Sequence, residues 1–281
     1  MVSTTAFVLG GGGPLGAHEV GMLQGLLEAE IVPDLVVGTS IGAVNGAIIA
    51  SDPSLATVAR LAELWTSIGR AAVFQGSVGK RLSTMFNERT HIFDNSALRR
   101  LVAEALPVER IEDLAVPFEC VAASIERANV HYFTTGSIVD AVVASSAVPG
   151  LLPPVEIDGE HFLDGGLVAS IPLDRAIDRG ATEIYVLQVG RIEQPLEAPT
   201  RPWEVALVAF EISRRHRFSE ALASVPDGVA VHVLPTGDPK RFNDLRQYRG
   251  AKGESVGQRI AQSYEATRAY LVAHGLGRTE R

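Results

Sequence analysis

Residues 34–47 read DLVVGTSIGAVNGA. The apolar run at 34–39 predicts a buried strand, and the small residues that follow predict a helix from Ile41. The junction between them, GTSIG at 38–42, fits the G-x-S-x-G pattern of a nucleophile elbow, in which glycines let strand and helix approach around a strained serine. A tight turn with a serine cap on the helix would give the same pattern. Ser40 is therefore a candidate nucleophile whose role depends on the rest of the chain.

A glycine-rich segment precedes the elbow. Residues 9–16 read LGGGGPLG, between a strand predicted at 6–9 and a helix predicted at 15–30. Successive glycines leave backbone N–H groups unobstructed at a helix N-terminus, which favours binding of an anion. One such anion is an oxyanion beside the elbow serine. Another is the pyrophosphate of a dinucleotide, because residues 11–16 also match G-x-G-x-x-G.

The dinucleotide alternative expects an acidic residue at the end of the second strand, where it would bind the ribose. Asp34 instead stands before that strand, and the strand ends in Gly38-Thr39-Ser40. A purely structural glycine turn is the third alternative. The oxyanion interpretation is the one that uses the glycine segment and the elbow together.

A serine nucleophile needs a base, and Asp164 is the acidic candidate. Residues 164–166 read DGG and follow EHFL at 160–163. An aspartate before two glycines can stand at a strand end with its carboxylate facing a cleft, although the same tripeptide is common in plain turns.

A histidine could instead complete a Ser-Asp-His triad, because α/β-hydrolases carry the three residues in that chain order. His216, His232 and His274 all follow Asp164. Ser40, however, lies on only the second predicted strand, which is too early for the central elbow of that fold. Arginines surround His216, and they predict a solvated basic helix face.

The remainder of the chain alternates strands with helices. We predict a hairpin from strands at 118–125 and 130–134, further strands at 184–189 and 229–234, and helices at 203–222 and 254–274. This order predicts an α/β fold with a mostly parallel central sheet flanked by helices. No stretch is typical of an interdomain linker, so we expect a single domain over residues 1–281. Its motif-bearing core covers about 5–190, and a C-terminal strand and helices cover about 200–275.

Composition narrows the classes of function. The net charge of −8 argues against a nucleic-acid partner. Cys120 is the only cysteine, which excludes an intramolecular disulfide and a cysteine zinc site, and its apolar neighbours predict an inert buried thiol. The N-terminus lacks the features of a secretory signal, and the longest apolar runs are about half the length of a bilayer span. We expect a cytoplasmic protein that contacts a membrane at most peripherally.

The motifs together resemble the patatin-like phospholipase family. They occur in the family's order and spacing: LGGGGPLGA at 9–17, GTSIGAVNGA at 38–47 and DGG at 164–166. Two further segments are similar to those that flank the catalytic aspartate of the family: ASSAVPG with LPPV at 144–155, and SIPL at 170–173. The resemblance covers residues 5–190 approximately, and the combination is far more specific than any single motif.

The resemblance implies a three-layer patatin-like fold and a Ser–Asp dyad in place of a triad. Ser40 would attack the acyl carbonyl, and Asp164 would accept its proton and later activate water. The N–H groups of Gly11, Gly12 and Gly13 would bind the oxyanion, each lost donor costing about 3 kcal/mol of barrier. The implied activity is hydrolysis of lipid esters through an acyl-enzyme, without metal or cofactor.

One departure from the family pattern concerns charge. Members often carry Arg or Lys at the position of Leu15, so the chain lacks a cation there. A catalytically silent or regulatory protein of the same fold is therefore an alternative, beside a nucleotide-binding protein that uses the glycine segment.

Two segments bear on the substrate. Apolar pairs at 73–74, 85–86 and 92–93 could line or cover an acyl groove, or pack as ordinary core contacts beneath a long loop. The helix predicted from Trp203 is apolar nearly all round in its first half and basic at its end. Such a helix could dock on an anionic membrane, although helices apolar on every side are more often buried.

The dyad predicts that histidines are dispensable. We expect each of the seven histidines, changed in turn to Gln, to leave most esterase activity in a chromogenic ester assay. A single histidine variant as inactive as Ser40→Ala would show that a triad operates instead.

Overall fold

The structure is a computed structural model that describes residues 4–71, 93–189, 195–200, 202–237 and 255–277. The strands are β1 (Thr5–Leu9), β2 (Leu35–Thr39), β3 (Phe118–Ser124), β4 (Asn129–Phe133), β5 (Val155–Ile157), β6 (Glu160–Asp164), β7 (Glu183–Leu187) and β8 (Ala230–Val233). The helices are α1 (Ala17–Glu28), α2 (Ile41–Ser51), α3 (Leu55–Ala71), α4 (Ser96–Ala105), α5 (Ile138–Ser145), α6 (Gly166–Ala169), α7 (Leu173–Asp178), α8 (Pro202–Ala223) and α9 (Val256–Ala273). A 3-10 turn, Gly13–Gly16, joins β1 to α1.

The eight strands form one sheet in the order β5-β6-β3-β2-β1-β7-β8, with β4 paired to β3 outside this path. Every pairing among β3, β2, β1, β7 and β8 is parallel. Strands β4, β5 and β6 add antiparallel pairings at one side. The predicted α/β class with a mostly parallel sheet flanked by helices is confirmed.

Alternation along the central strands places side chains on both faces of the sheet. Phe7 and Leu9 of β1 belong to an apolar cluster with α1, α2 and α3, whereas Ala6 and Val8 belong to a second cluster with α7 and α8. Strands that are buried on both faces consist of continuous apolar runs, as in β1 and β2. The sheet is thus the middle of three layers.

Strand β3 determines where two loops meet. Thr39, the last residue of β2, pairs with Val121, and Asp164, the last residue of β6, pairs with the next residue, Ala122. Strand β4 pairs with Val121 and Ala122 as well, so it occupies the opposite edge of β3. Strands β2 and β6 therefore lie end to end along one edge, and the residues that terminate them are neighbours.

The basic residues of α8 are not all exposed to solvent, contrary to the prediction. Arg214 is only 5% exposed, and its Nη2 lies 2.6 Å from Glu211 Oε1. Arg217 donates from Nη1 to the Val168 carbonyl at 2.6 Å. The prediction of a solvated face is wrong for Arg214, because Glu211 one turn earlier pairs with it in the interior. His216 is exposed as expected.

In the described parts of the chain, no helix is long and apolar enough to cross a membrane.

Helix α1 carries the glycine segment at its N-terminus and packs closely on α9. A Cβ on Gly21 would lie 2.1 Å from the Ile260 carbonyl oxygen, and a Cβ on Gly25 would lie 2.9 Å from Thr267 Cγ2. The two glycines therefore let α9 approach the backbone of α1.

We expect Gly21→Ala to lower the free energy of unfolding by about 1–3 kcal/mol or more, because the added methyl group would overlap backbone atoms of α9. Gly257→Ala is the matched control, since a Cβ there meets no atom within 4 Å in the described structure. The control should be neutral or stabilising by up to about 1 kcal/mol. Urea unfolding checks both, and equal stabilities of the two variants would contradict the packing.

Candidate active site

Ser40 and Asp164 meet directly. Ser40 Oγ donates to Asp164 Oδ2 at 2.7 Å, while Asp164 Oδ1 accepts from the Gly166 N–H at 2.7 Å. The two side chains come from loops 124 residues apart, and the shared edge of β3 brings them together. Both residues are largely buried, Ser40 being 8% and Asp164 6% exposed.

The backbone of Ser40 has the geometry of an elbow. Its φ of 55° and ψ of −122° are rarely adopted by a residue with a Cβ, and such conformations cost about 1–3 kcal/mol. The flanking glycines allow the tight crossing, because a Cβ on Gly38 would lie 2.5 Å from the Gly42 carbonyl oxygen. A Cβ on Gly42 would lie 2.4 Å from the Leu9 carbonyl oxygen. The turn presents the serine hydroxyl to Asp164.

Burial governs the charge of Asp164. Desolvation raises the pKa of the Asp164 carboxyl to about 6, although hydrogen bonds from Ser40 and from the Gly166 backbone act to lower it. A carboxylate with a raised pKa is a stronger base than an exposed one and is still ionised near neutral pH. Asp164 can therefore accept a proton from Ser40.

No histidine hydrogen bonds to Ser40 or Asp164 within the described residues. His232 Nε2 lies 2.7 Å from Glu183 Oε1, His274 Nδ1 lies 2.8 Å from the Tyr270 carbonyl oxygen, and His216 Nε2 lies 3.4 Å from Glu220 Oε1. The three candidates for a triad thus have other partners.

The glycine segment lies beside Ser40. A Cβ on Gly11 would be 3.4 Å from Ser40 Cβ, so the segment passes in van der Waals contact with the serine. The Gly11 N–H donates to the Ser170 carbonyl at 2.9 Å, whereas no described backbone oxygen accepts from the N–H groups of Gly12 or Gly13. Gly13 has a φ of +53°, which favours glycine at this position.

A buried polar network lies behind the segment. Asn45 on α2 donates from Nδ2 to the Gly16 carbonyl at 3.0 Å and to Glu19 Oε2 at 2.7 Å, and it accepts from Trp65 Nε1 at 3.0 Å. Burial raises the pKa of the Glu19 carboxyl well above its usual range, opposed by hydrogen bonds from Asn45 and the Gly10 backbone. The network ties α1, α2 and α3 around the glycine segment.

A basic side chain of the C-terminal helix α9 contacts the glycine segment. Arg259 on α9 donates from Nη1 to the Pro14 carbonyl at 2.9 Å and is buried. Pro14 adjoins Leu15, where the sequence lacks the Arg or Lys of the family pattern. Sequence inspection missed Arg259, because no local signal links it to a residue 245 positions earlier.

The cavity beside α8 is not lined by Ser40 or Asp164. It has a volume of about 670 Å³ and lies between α8 and residues 168–172. The apolar pairs suggested for an acyl groove fall at 73–74, 85–86 and 92–93, of which only Phe93 is among the described residues. Within those residues, no group of three or more His, Cys, Asp or Glu side chains is placed to hold a metal ion.

A family model described as patatin-like phospholipase matches residues 7–177, so the chain belongs to this family. It is 34% identical over 190 residues to patatin-like phospholipase domain-containing protein 6 of Mus musculus, covering 67% of this chain and 14% of that protein. It is 32% identical over 193 residues to lysophospholipase nte1 of Aspergillus terreus, covering 68% of this chain and 12% of that protein. The chain thus spans about one seventh or less of these relatives.

The fold also resembles a solved structure. VipD from Legionella pneumophila aligns with a TM-score of 0.53 over 97% of this chain and 67% of that one, at 15% sequence identity. At this identity the likeness concerns the fold alone.

Proposed function

We propose that the protein is a serine acyl hydrolase that cleaves lipid esters through a Ser40–Asp164 dyad. The observation that carries the proposal is the 2.7 Å hydrogen bond from Ser40 Oγ to a buried carboxylate on a neighbouring strand end. A serine hydroxyl becomes an effective nucleophile when an adjacent base can take its proton. Asp164 is such a base, and its pKa of about 6 leaves it ionised near neutral pH.

The dyad performs two half-reactions. In the first, Ser40 Oγ bonds to the acyl carbon as its proton passes to Asp164, and the leaving alcohol takes that proton when the ester bond breaks. In the second, Asp164 removes a proton from water, whose oxygen attacks the acyl-enzyme. The carboxylic acid departs, and the proton returns to Ser40 Oγ.

The glycine segment would stabilise the tetrahedral oxyanion of both half-reactions. We assign the oxyanion donors to the N–H groups of Gly11, Gly12 and Gly13. Gly12 and Gly13 have N–H groups without a described backbone acceptor, whereas the Gly11 N–H already donates to the Ser170 carbonyl. Gly11 would contribute by sharing that hydrogen bond or by a small rotation of its peptide plane. Each donor should lower the barrier by about 3 kcal/mol.

Family membership supports a lipid ester as the substrate. The family is described as patatin-like phospholipase, and one relative bears the name lysophospholipase. A lysophospholipase hydrolyses the carboxylic ester of a fatty acyl group, which is the kind of bond that an activated serine attacks. We therefore propose a phospholipid or lysophospholipid as the substrate class, cleaved at a carboxylic ester rather than at a phosphate.

A fluorophosphonate probe tests the dyad. We expect labelling of the wild-type protein at Ser40, none in Ser40→Ala, and labelling at least about 100-fold slower in Asp164→Asn, which cannot accept the proton. Ser67→Ala and Asp174→Asn are controls, because both side chains are exposed and neither contacts the dyad. Hydrolysis of a phospholipid and a lysophospholipid panel, followed by mass spectrometry, then identifies the ester.

Unlabelled but folded wild-type protein would contradict the proposal and favour a silent member of the fold. A rise in melting temperature with NADPH would in that case favour nucleotide binding at the glycine segment.

A further inference from the structure

Ser145, the last residue of α5, contacts the nucleophile from a third part of the chain. It is completely buried, and its Oγ accepts from the Ser40 N–H at 2.8 Å. The bond is directed to the backbone of the elbow, not to the reacting hydroxyl. The dyad mechanism above gives Ser145 no role.

The end of α5 also hydrogen bonds to the backbone at Asp164 and Gly165. The Ser145 carbonyl accepts from the Gly165 N–H at 3.1 Å, and the Ala147 carbonyl accepts from the Asp164 N–H at 3.0 Å. Carbonyl groups at the end of a helix have no partner within the helix, so they are available for such bonds. One short segment at the end of α5 therefore binds the backbone of both members of the dyad.

The Ser145 hydroxyl lies beside a buried thiol. Cys120 Sγ donates to the Ala141 carbonyl at 3.2 Å. Burial raises the pKa of the Cys120 thiol to about 12 while the Ser145 side chain acts to lower it, and at this pKa the sulfur stays protonated. With the thiol hydrogen directed at Ala141, the sulfur can accept from Ser145, and a lone pair of Ser145 Oγ remains for the Ser40 N–H.

We propose that Ser145 is a positioning residue, whose hydroxyl holds the elbow backbone so that Ser40 Oγ stays in hydrogen-bond contact with Asp164. This inference rests on the proposed function, since it concerns the dyad. The Ser40 backbone has a positive φ of 55°, and the Ser145 hydrogen bond opposes its relaxation towards an ordinary conformation. Without the acceptor, the buried Ser40 N–H would lose its partner, and the elbow would move to find another.

The adjacent serine provides a matched control. Ser146 is 8% exposed, and within the described structure its Oγ has no hydrogen-bond partner. Ser145→Ala and Ser146→Ala therefore remove the same atom from neighbouring buried positions, and only the first removes a bond to the nucleophile.

Kinetics with a chromogenic ester tests the role. We expect Ser145→Ala to lower kcat about 10- to 100-fold with KM changed less than about threefold, because a displaced nucleophile affects the chemical step. In the pH profile of kcat/KM, the acid limb of the Ser145→Ala variant should move to higher pH. The reason is that the variant weakens the Ser40 hydrogen bond, which lowers the pKa of Asp164. Ser146→Ala should match the wild type, and Ser145→Thr, which keeps an Oγ, should recover much of the lost kcat.

Hydrogen exchange provides a readout that does not depend on activity. The Ser40 amide should exchange faster in folded Ser145→Ala than in the wild type or in Ser146→Ala, as followed by NMR. Unchanged exchange at Ser40, or wild-type kcat and acid limb in Ser145→Ala, would overturn the positioning role while leaving the dyad intact. Wild-type activity in Ser40→Ala would instead refute the dyad, whereas the exchange result would still decide whether Ser145 holds the elbow.

Discussion

Strands β2 and β6 pair with the same edge of β3, since β4 occupies the opposite edge along Cys120–Ser124. Val121 pairs with Thr39, the residue before Ser40, and Ala122 pairs with Asp164. The contact between Ser40 and Asp164 is thus a property of strand register. A shift of one residue in either pairing would move the side chains to the opposite face of the sheet, so the site depends on the same hydrogen bonds as the core.

Two buried carboxyl groups lie near the glycine segment, and their surroundings give them different roles. Asp164 contacts the Ser40 hydroxyl, and burial raises its pKa to about 6. Glu19 is fully buried, and burial raises its pKa well above its usual range, but its partners are the Asn45 amide and the Gly10 backbone. Of the two carboxyl groups, Asp164 is the one with both a serine hydroxyl within hydrogen-bond distance and a pKa suited to proton transfer near neutral pH. We infer that Glu19 stabilises the fold around the segment.

Local sequence signals predict most of the central strands and the two long C-terminal helices, and they single out Ser40 and Asp164, which the structure brings into hydrogen-bond contact. The strands at 118–124 and 183–187 and the helix at 256–273 lie within two residues of their predicted bounds, because apolar runs and flanking turn residues are local. Contacts between segments that are far apart in the sequence cannot be predicted from local patterns. Arg259 at Pro14 and Ser145 at Ser40 depend on where α9 and α5 pack. The basic residues next to Arg214 in the sequence predict a solvated helix face, whereas Arg214 is buried and pairs with Glu211.

The central claim is that a buried aspartate, with no histidine, is the base for Ser40. The pH dependence of kcat/KM for a non-ionising ester tests it most directly, because the acid limb reports the base of the free enzyme. Asp164 must be ionised to accept the proton, so activity should fall as pH drops through an apparent pKa of about 6. The limb should remain in every histidine variant. A limb that disappears when one histidine is changed, or activity that persists far below pH 6, would contradict the account.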